Sequence, residues 1–358
     1  MTLLPTLALL VLTAEPLQVR VLEREKPQAL TLTAERLECD AAPLPSPAEL
    51  TVGADGIAVK GRAAGRCATV SSPGPSTVTV GELTRRYPGT LAVSVEGGLL
   101  RLINTVDVEA YLPSVVQAEL SGGAPAALEA QAIVSRTFAL TGRNRHARAG
   151  HHLCDLTHCQ WYRGAEADAA AVAAVKKTQG QVLMVGGIAL KPAFFHSSCG
   201  GHTSTASDIF HEAGAGPAIK DTTKEGSACR AAPDFEWSWQ ADRVELAKAL
   251  GAKPEGDAFV PLSRDKGGRV LEVSAFGKRM DGGEFSSRIG RAFGWQALRS
   301  LKVTAEEVEN TVTFKGTGLG HGVGLCQHGA MALAAKGWDA KRLLQRYFPD
   351  CQVRQVEE

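Results

Sequence analysis

Glu119 stands between two predicted helices, where a carboxyl group could exchange a proton as a general acid or base. The first predicted helix covers residues 108–117, with Asp107 placed to cap it and an apolar stripe along one face. The second begins after Pro125, which suits a first helical turn, and ends at Gly142. Composition alone would make Glu119 an ordinary surface acid, so a catalytic interpretation depends on the surrounding pattern.

Thiols and imidazoles are concentrated just after this helix pair. Cys154 and Cys159 have four residues between them, and thiolates beside imidazoles are typical ligands of tetrahedral zinc. The histidines close to them in sequence are His146, His151, His152 and His158. The zinc hypothesis takes both cysteines and one or more of these histidines, with His152 and His158 named as the candidate pair. A small disulfide loop and free buried thiols are the alternatives, and a catalytic metal is disfavoured because cysteine-rich zinc sites are usually structural.

Two further histidines lie beside glycines. His196 and Ser198 end a predicted strand just before a glycine pair, and such a pair lets a ligand approach the backbone closely. His321 sits among alternating glycines at residues 318–324, ahead of a predicted helix. A glycine-rich turn opening a helix can bind phosphate, but the Lys-Ser/Thr pair of a P-loop is missing. Nucleotide binding is therefore disfavoured.

These stretches resemble the signature of the stage II sporulation protein D family, peptidoglycan lytic transglycosylases whose domain also occurs in amidase enhancers. The resemblance rests on an acidic-Tyr-Leu helix start, a Val-Val-x-x-Glu ending at Glu119, and a helix with Gln-Ala followed by Arg-Thr. It continues in a Gly-x-Gly-His-Gly-Val-Gly run at residues 318–324 and covers roughly residues 85–350. Two departures are Leu120-Ser121 in place of Met-Pro and Cys326 in place of serine. Cys326 is expected to be an inert residue at a helix start.

The resemblance implies a function and a set of residue roles. Glu119 would be the general acid and base that cleaves the bond between N-acetylmuramic acid and N-acetylglucosamine with formation of a 1,6-anhydro ring. The candidate substrate-binding residues are Arg136, His196, Ser198, His321 and Gln327. The implied partners are peptidoglycan glycan strands and a cell-wall amidase. The alternative function is a non-catalytic amidase enhancer or a cell-wall-binding protein.

The elements that carry these residues predict an α+β fold. Residues 15–84 alternate in short apolar runs and turns and are predicted to be a β-rich N-terminal module. Residues 85–352 are predicted to be a mixed α/β catalytic domain built around the helix pair and a glycan cleft. An inserted, loop-like region is expected at about residues 204–257. Lysine plus arginine (39) and aspartate plus glutamate (38) nearly cancel, which gives no strong field for nucleic acid.

The N-terminus indicates export. Residues 1–14 contain an apolar run too short to span a bilayer, and we interpret them as a signal peptide. The expected location is the periplasm, the cell envelope or the extracellular space. In such an oxidising compartment, Cys199 and Cys229 are expected to form a disulfide.

Overall fold

The computed structural model describes residues 15–60, 66–189, 192–212 and 216–356. The described residues up to 189, together with 353–356, form a first compact unit, and the others up to 352 form a second. The predicted signal peptide lies outside the described residues. No helix in the described ranges is long and apolar enough to cross a membrane.

The strands are numbered in chain order. They are β1 (Leu17–Val21), β2 (Ala29–Ala34), β3 (Leu37–Cys39), β4 (Ala42–Leu44), β5 (Ala48–Gly53), β6 (Gly56–Val59), β7 (Arg66–Cys67), β8 (Val70–Ser72), β9 (Ser76–Val80), β10 (Leu83–Tyr87), β11 (Thr90–Glu96), β12 (Leu99–Val106), β13 (Leu153–Cys154), β14 (Gln181–Val185), β15 (Ile188–Ala189), β16 (Phe195–His196), β17 (Thr222–Thr223), β18 (Gly226–Ser227), β19 (Glu236–Asp242), β20 (Val260–Arg264), β21 (Val270–Ala275), β22 (Lys278–Asp281), β23 (Val303–Val308), β24 (Thr311–Thr317), β25 (Leu325–Cys326) and β26 (Gln352–Gln355).

The helices are fewer and are concentrated after residue 107. They are α1 (Val108–Glu119), α2 (Pro125–Thr141), α3 (Ala169–Lys177), α4 (Ala206–Phe210), α5 (Arg243–Leu250), α6 (Gly282–Phe293), α7 (Gln327–Ala335) and α8 (Ala340–Tyr347), with a short 3-10 turn at Ala147–Ala149. The predicted α+β class and the β-rich N-terminal part are confirmed.

Two sheets dominate the first unit. One has the order β13-β1-β12-β11-β8-β3-β4 and the other the order β10-β9-β2-β5-β6-β7. Alternate residues of β12 are buried, as expected for a strand with one face on the core. The hairpin between β11 and β12 turns at Gly97 and Gly98, whose positive φ angles of 59° and 76° suit glycine. A disulfide between Cys39 and Cys67, which the sequence analysis did not anticipate, links β3 of one sheet to β7 of the other.

The helix pair forms as predicted, with α1 two residues longer than expected. Asp107 caps α1 by accepting hydrogen bonds from the backbone N–H groups of Glu109 and Ala110. Helix α2 begins at Pro125 and is buried along most of its length, which is typical of a helix inside a core. Helix α3 contacts both α1 and α2, and the sheet β15-β14-β26 packs beside them.

The predicted boundary between residues 84 and 85 does not separate compact units. It falls inside β10, which pairs with β9 over its whole length. Strands β1 and β8 of the predicted N-terminal module also pair with β12 and β11 in one sheet. The helix pair is therefore part of the same unit as the β-rich N-terminal residues.

The second unit contains two small antiparallel sheets, β19-β24-β23 and β20-β21-β22, packed with α5 and α6. Their core includes Trp237, Phe285 and Phe314. Strands β16 and β25 pair in parallel, which places His196 opposite Cys326. The expectation of a loop-like region at residues 204–257 is wrong in part, because β19 and α5 lie within it and supply core residues.

Candidate functional site

Glu119 is the last residue of α1, and its side chain is partly buried. The backbone N–H of Trp161 donates a hydrogen bond of 2.7 Å to its Oε1 atom. Helix α1 ends there because Leu120 leaves the helical conformation and Gly122 follows with a φ of 70°. The carboxyl group is thus held between a helix end and a chain segment 42 residues further on.

That segment, residues 159–163, is fixed to the helix pair at several points. The hydroxyl of Tyr111 donates to Oε1 of Gln160 at 3.2 Å, and Nε2 of Gln160 donates to the backbone oxygen of Ser135 at 3.2 Å. The backbone N–H of Arg163 donates to Oγ of Ser114 at 3.0 Å. Burial raises the pKa of Tyr111, and the negative charges of Cys159, Tyr162 and Glu119 raise it further. Residues 159–163 therefore form a rigid support for the Glu119 carboxyl group.

Arg136 was predicted to contact substrate, and the structure gives it a different role. Its Nε and Nη2 atoms donate to the two carboxylate oxygens of Glu109 at 2.7 and 2.8 Å. Arg136 is 0% exposed. It also donates to the backbone oxygens of Gln181 and Val175. A bidentate, buried ion pair of this kind joins α1, α2, α3 and β14 and leaves no face for a sugar.

Four side chains near this support form a group that we call the Cys–His cluster. They are His146, Cys154, His158 and Cys159. One possible ligand atom from each lies within 4.8 Å of those of all the others. Nε2 of His146 is 3.3 Å from Sγ of Cys159, and Nδ1 of His158 is 3.3 Å from Sγ of Cys154. The two cysteines are not joined in a disulfide. Two thiolates and two imidazoles at this spacing match a tetrahedral zinc site.

The charges in the Cys–His cluster favour a thiolate. The pKa of Cys159 is lowered by its hydrogen bond with Cys154, against the effect of burial, and further by hydrogen bonds with His158 and His146. The pKa of His158 is raised, chiefly by Cys159. His152 was predicted as a ligand, but its Nδ1 accepts a hydrogen bond of 3.1 Å from the backbone N–H of Gln18 on β1. The structure replaces it with His146.

The remaining candidates lie in the second unit, and two of them are deeply buried. His196 is 4% exposed and Ser198 is 0% exposed, so the structure does not support direct sugar contact by either. Nδ1 of His196 donates to the backbone oxygen of Val323 at 3.0 Å. Burial lowers the pKa of His196 well below its usual value, and the neighbouring His321 lowers it further. Gln327 is 5% exposed at the start of α7.

His321 is the candidate of the second unit that reaches a cavity. It lies in an aromatic surround, with its ring centroid 5.0 Å from that of Phe210 and 5.6 Å from that of His196. Burial, followed by the charge of Arg269, lowers the pKa of His321 to about 4, so the ring is neutral near pH 7. The cavity has a volume of about 440 Å³ and is also lined by Trp295 and Arg299.

The alternating glycines around His321 have a packing reason. All four, from Gly318 to Gly324, have positive φ angles. A Cβ atom at Gly322 would lie 2.2 Å from Cζ of Arg269, and one at Gly324 would lie 2.1 Å from the backbone oxygen of Phe194. The loop therefore needs glycine both for its backbone conformation and for close contact with its neighbours.

Comparison with known proteins bears on the first unit most directly. Residues 96–185 match the family described as "Stage II sporulation protein". The Stage II sporulation protein D of Bacillus subtilis is 25% identical over 274 residues, which cover 71% of this chain and 76% of that protein. The match and this relative support the resemblance to the stage II sporulation protein D family.

Two further relatives extend the comparison. An uncharacterised protein of Brachyspira hyodysenteriae is 27% identical over 270 residues, which cover 73% of this chain and 70% of the relative. The amidase enhancer of Bacillus subtilis is 26% identical over 269 residues, which cover 62% of this chain and 37% of the enhancer. Glu119 and the Cys–His cluster lie within the matched residues 96–185, whereas His196 and His321 lie beyond them.

Sequence analysis missed the residues that support Glu119. Gln160 and Trp161 connect the Cys–His cluster to Glu119, and their side-chain types gave no sign of it. The ring of Trp161 is covered by the guanidinium of Arg163, whose Cζ lies 4.2 Å from the ring centroid. Gln160 and Trp161 directly follow Cys159, and this position was the available signal. A cluster that holds Cys159 in place also restrains the next few residues.

Proposed function

We propose that this protein is a lytic transglycosylase that cleaves peptidoglycan glycan strands, with Glu119 as general acid and base. The broader part of the proposal, a role at the bacterial cell wall, is supported by the family match and by the amidase-enhancer relative. The finer part is supported by Glu119, which occupies the position of the family's catalytic glutamate in the resembling motif. Export of the protein belongs to the same proposal, and the Cys39–Cys67 disulfide is typical of an oxidising compartment.

The proposed chemistry needs a single carboxyl group. Protonated Glu119 gives its proton to the glycosidic oxygen as the bond from C1 of N-acetylmuramic acid breaks. The resulting carboxylate then takes a proton from the C6 hydroxyl of the same sugar, whose oxygen attacks C1 and closes the 1,6-anhydro ring. The substrate supplies the nucleophile, so the second carboxylate of a hydrolytic glycosidase is not required. Glu119 ends the cycle protonated, as it began.

The observation that carries the proposal is the fixed geometry of Glu119. A general acid is effective when its carboxyl group is held in one orientation, since misplacement by about 1 Å can cost a large part of the rate. Here the N–H of Trp161 orients Oε1. The hydroxyl of Tyr111 donates to Gln160, and Gln160 donates to the backbone oxygen of Ser135, which fixes the segment behind it.

Zinc in the Cys–His cluster is part of the proposal, as a structural ion. His146, Cys154, His158 and Cys159 would hold it. A bound ion would fix the chain at Cys159, two residues before the N–H group that orients Glu119. In the second unit, we propose that His321 and the cavity beside it bind part of the glycan, with Trp295 offering an apolar face to a sugar ring. Buried His196, Ser198 and Gln327 would position this loop.

The decisive experiment is digestion of purified peptidoglycan with Glu119→Gln beside the wild type. The amide keeps the size of the side chain but cannot exchange the proton, so cleavage is expected to fall by about 10²–10⁴-fold. Mass spectrometry of the products should find 1,6-anhydro ends with the wild type. Glu166→Gln is the matched control, because Glu166 is an exposed glutamate close to the same segment.

Two results would overturn the proposal. Undiminished cleavage by Glu119→Gln would remove this residue from the chemistry, and reducing ends in place of 1,6-anhydro ends would indicate a hydrolase. The amidase-enhancer relative favours one alternative, a non-catalytic protein that acts on a cell-wall amidase. That alternative predicts no glycan cleavage by the wild type and an increase in amidase activity that Glu119→Gln leaves unchanged.

A further inference from the structure

A second group of metal-binding side chains lies in the second unit, and we call it the Cys–Asp cluster. It consists of Cys199, Asp221, Cys229 and Cys326. Cys199 follows β16, Asp221 and Cys229 stand on either side of the hairpin β17–β18, and Cys326 ends β25 at the start of α7. All four are buried, with exposures of 0% or 1%. Separate parts of the chain thus bring three thiols and a carboxyl group to one buried place.

The distances in the Cys–Asp cluster fit metal coordination better than a disulfide. One ligand atom from each residue lies within 4.8 Å of all the others. Sγ of Cys199 is 3.6 Å from Sγ of Cys229, so the disulfide expected from the sequence is not formed. Zinc–sulfur bonds of about 2.3 Å in a tetrahedron place neighbouring sulfurs roughly 3.8 Å apart, whereas a disulfide requires about 2.05 Å. The observed separation is close to the edge of such a tetrahedron.

The hydrogen bonds around the cluster are those of metal ligands. The backbone N–H of Cys199 donates to Sγ of Cys326 at 3.3 Å, which stabilises a thiolate. Asp221 accepts hydrogen bonds from Nε of Arg346 at 2.8 Å and from the hydroxyl of Tyr347 at 3.0 Å. Carboxylates that bind metal are commonly oriented by such outer partners. The Oδ2 atom of Asp221 also lies 3.4 Å from Sγ of Cys199.

The charge balance is a separate observation that points to bound anionic sulfur. Arg269 is 0% exposed, and its guanidinium donates to the backbone oxygens of Cys199 and His202 and to Oγ of Ser204. Its Nε atom has no hydrogen-bond partner among the described residues. Three thiolates and a carboxylate around a divalent cation carry two excess negative charges, and Arg269 with Arg346 supplies two positive ones. A buried guanidinium requires such compensation.

We propose that the Cys–Asp cluster binds a thiophilic divalent cation, zinc by preference, as a structural site of the second unit. Thiolate sulfur selects zinc over magnesium or calcium, and four protein ligands leave no open position for catalysis. The ion would join the turn at Cys199 to the start of α7 and to the hairpin β17–β18. Through Cys229 and Cys326, the ion would thereby fix both ends of the chain segment between these residues, which contains His321. This site is separate from the Cys–His cluster and does not depend on the proposed glycan cleavage.

The test measures metal ions per chain in the full-length protein purified without added metal. Cys326→Ser, a nearly isosteric change, should lose one ion relative to the wild type. Cys351→Ser is the matched control, because Cys351 is also buried in the second unit but lies outside the cluster, and it should lose none. Cys159→Ser should remove only the ion of the Cys–His cluster. An unchanged metal content in Cys326→Ser would overturn the proposal.

A second measurement uses the wild type alone and so does not depend on the folding of a variant. Thiols are alkylated in the native protein with and without a chelator, and the modified positions are mapped by peptide mass spectrometry. Chelation should make Cys199, Cys229 and Cys326 reactive while Cys351 stays protected by packing. Protection of all four in chelator would mean buried thiols without metal, and a Cys199–Cys229 cross-linked peptide would mean a disulfide. Either result would overturn the proposal.

Discussion

Arg136 and Arg269 are fully buried arginines, one in each unit, and their positive charges are neutralised by different chemistry. In the first unit, Arg136 meets the carboxylate of Glu109 in two parallel hydrogen bonds. In the second unit, the guanidinium of Arg269 donates to backbone oxygens and a hydroxyl. Burial lowers the pKa of Arg269, and the groups that oppose this are Cys199 first, then Asp265, Cys326 and Cys229.

The difference has a consequence for how each unit responds to its surroundings. The ion pair of Arg136 with Glu109 involves neither a metal nor a redox-active group. Buried thiolates stay charged when a metal or a neighbouring cation stabilises them, and disulfide formation removes their charge. The compensation of the Arg269 charge therefore depends on the state of the Cys–Asp cluster. The Arg136 charge is compensated by Glu109 without a metal.

The largest effect is expected for Arg269→Met. It removes a cation that packs against Gly322 and offsets the anionic Cys–Asp cluster. We expect the second unit to lose about 3–5 kcal/mol of stability, as when one partner of a buried charge pair is removed. Denaturant unfolding measures this loss, and the metal content should fall in parallel. Arg264→Met, an exposed arginine nearby, is the control. Full metal content in Arg269→Met would contradict the role given to its charge.

Arg136→Met should have a smaller effect, confined to the first unit. Glu109 is 24% exposed, so water can solvate the carboxylate that is left behind. We expect a loss of about 2–3 kcal/mol, below that of a fully buried pair. Adding Glu109→Gln should recover part of it, since the double variant has no unpaired charge. The metal content should not change. A fall in metal content equal to that of Arg269→Met would erase the contrast between the two arginines.

Exchange of single histidines tests the Cys–His cluster. His146→Asn should weaken zinc binding at least about 10-fold, because even outer-shell partners of zinc contribute 10–100-fold. Glycan cleavage should fall by a similar factor, since the support of Glu119 loosens while the carboxyl group remains. His152→Asn is the matched control, because His152 bonds to Gln18 and lies outside the cluster. If His152→Asn lost zinc and His146→Asn kept it, the ligand set inferred from the sequence would be right and that of the structure wrong.

Much of the first unit could be predicted because its signals are local. The Asp107 cap, the start of α2 at Pro125 and the Gly97-Gly98 turn each depend on a few neighbouring residues. The Cys–His cluster was also found, since its members lie within a short segment. The histidines of the cluster were not all identified. His152 bonds to Gln18 on β1, a residue far away in the sequence, and lies outside the cluster.

The unpredicted features depend on contacts between distant residues. Cys199 and Cys326 are 127 residues apart, and nothing in their spacing indicates that a sheet pair brings them together. The sequence pairs Cys199 with Cys229, its nearest cysteine in the second unit, and leaves Cys326 inert. Arg136 was predicted to bind sugar because it lies in the Arg-Thr pair of the motif that carries the family resemblance. Its guanidinium instead donates a hydrogen bond to the carboxylate of Glu109, in the first turn of α1.

The smallest effect concerns pH and the second unit. Burial lowers the pKa of His321 to about 4, against an ordinary value near 6.5. The folded protein thus favours the neutral ring, and its stability is complete above about pH 6.5 and is lost as the pH falls toward 4. At about pH 5.5, this residue alone should cost about 1 kcal/mol.

Acid titration of the unfolding free energy in wild type and His321→Gln isolates this contribution, because a glutamine cannot take up a proton in that range. The variant is expected to lose less stability between about pH 6.5 and 4 than the wild type, although His196 and the clusters still respond to acid in both. His211→Gln is the control, since the His211 side chain is 72% exposed. Equal acid sensitivity of wild type and His321→Gln would mean that the ring is protonated as readily in the fold as in water. The lowered pKa assigned to His321 would then be wrong, and so would the burial and the Arg269 charge given as its causes.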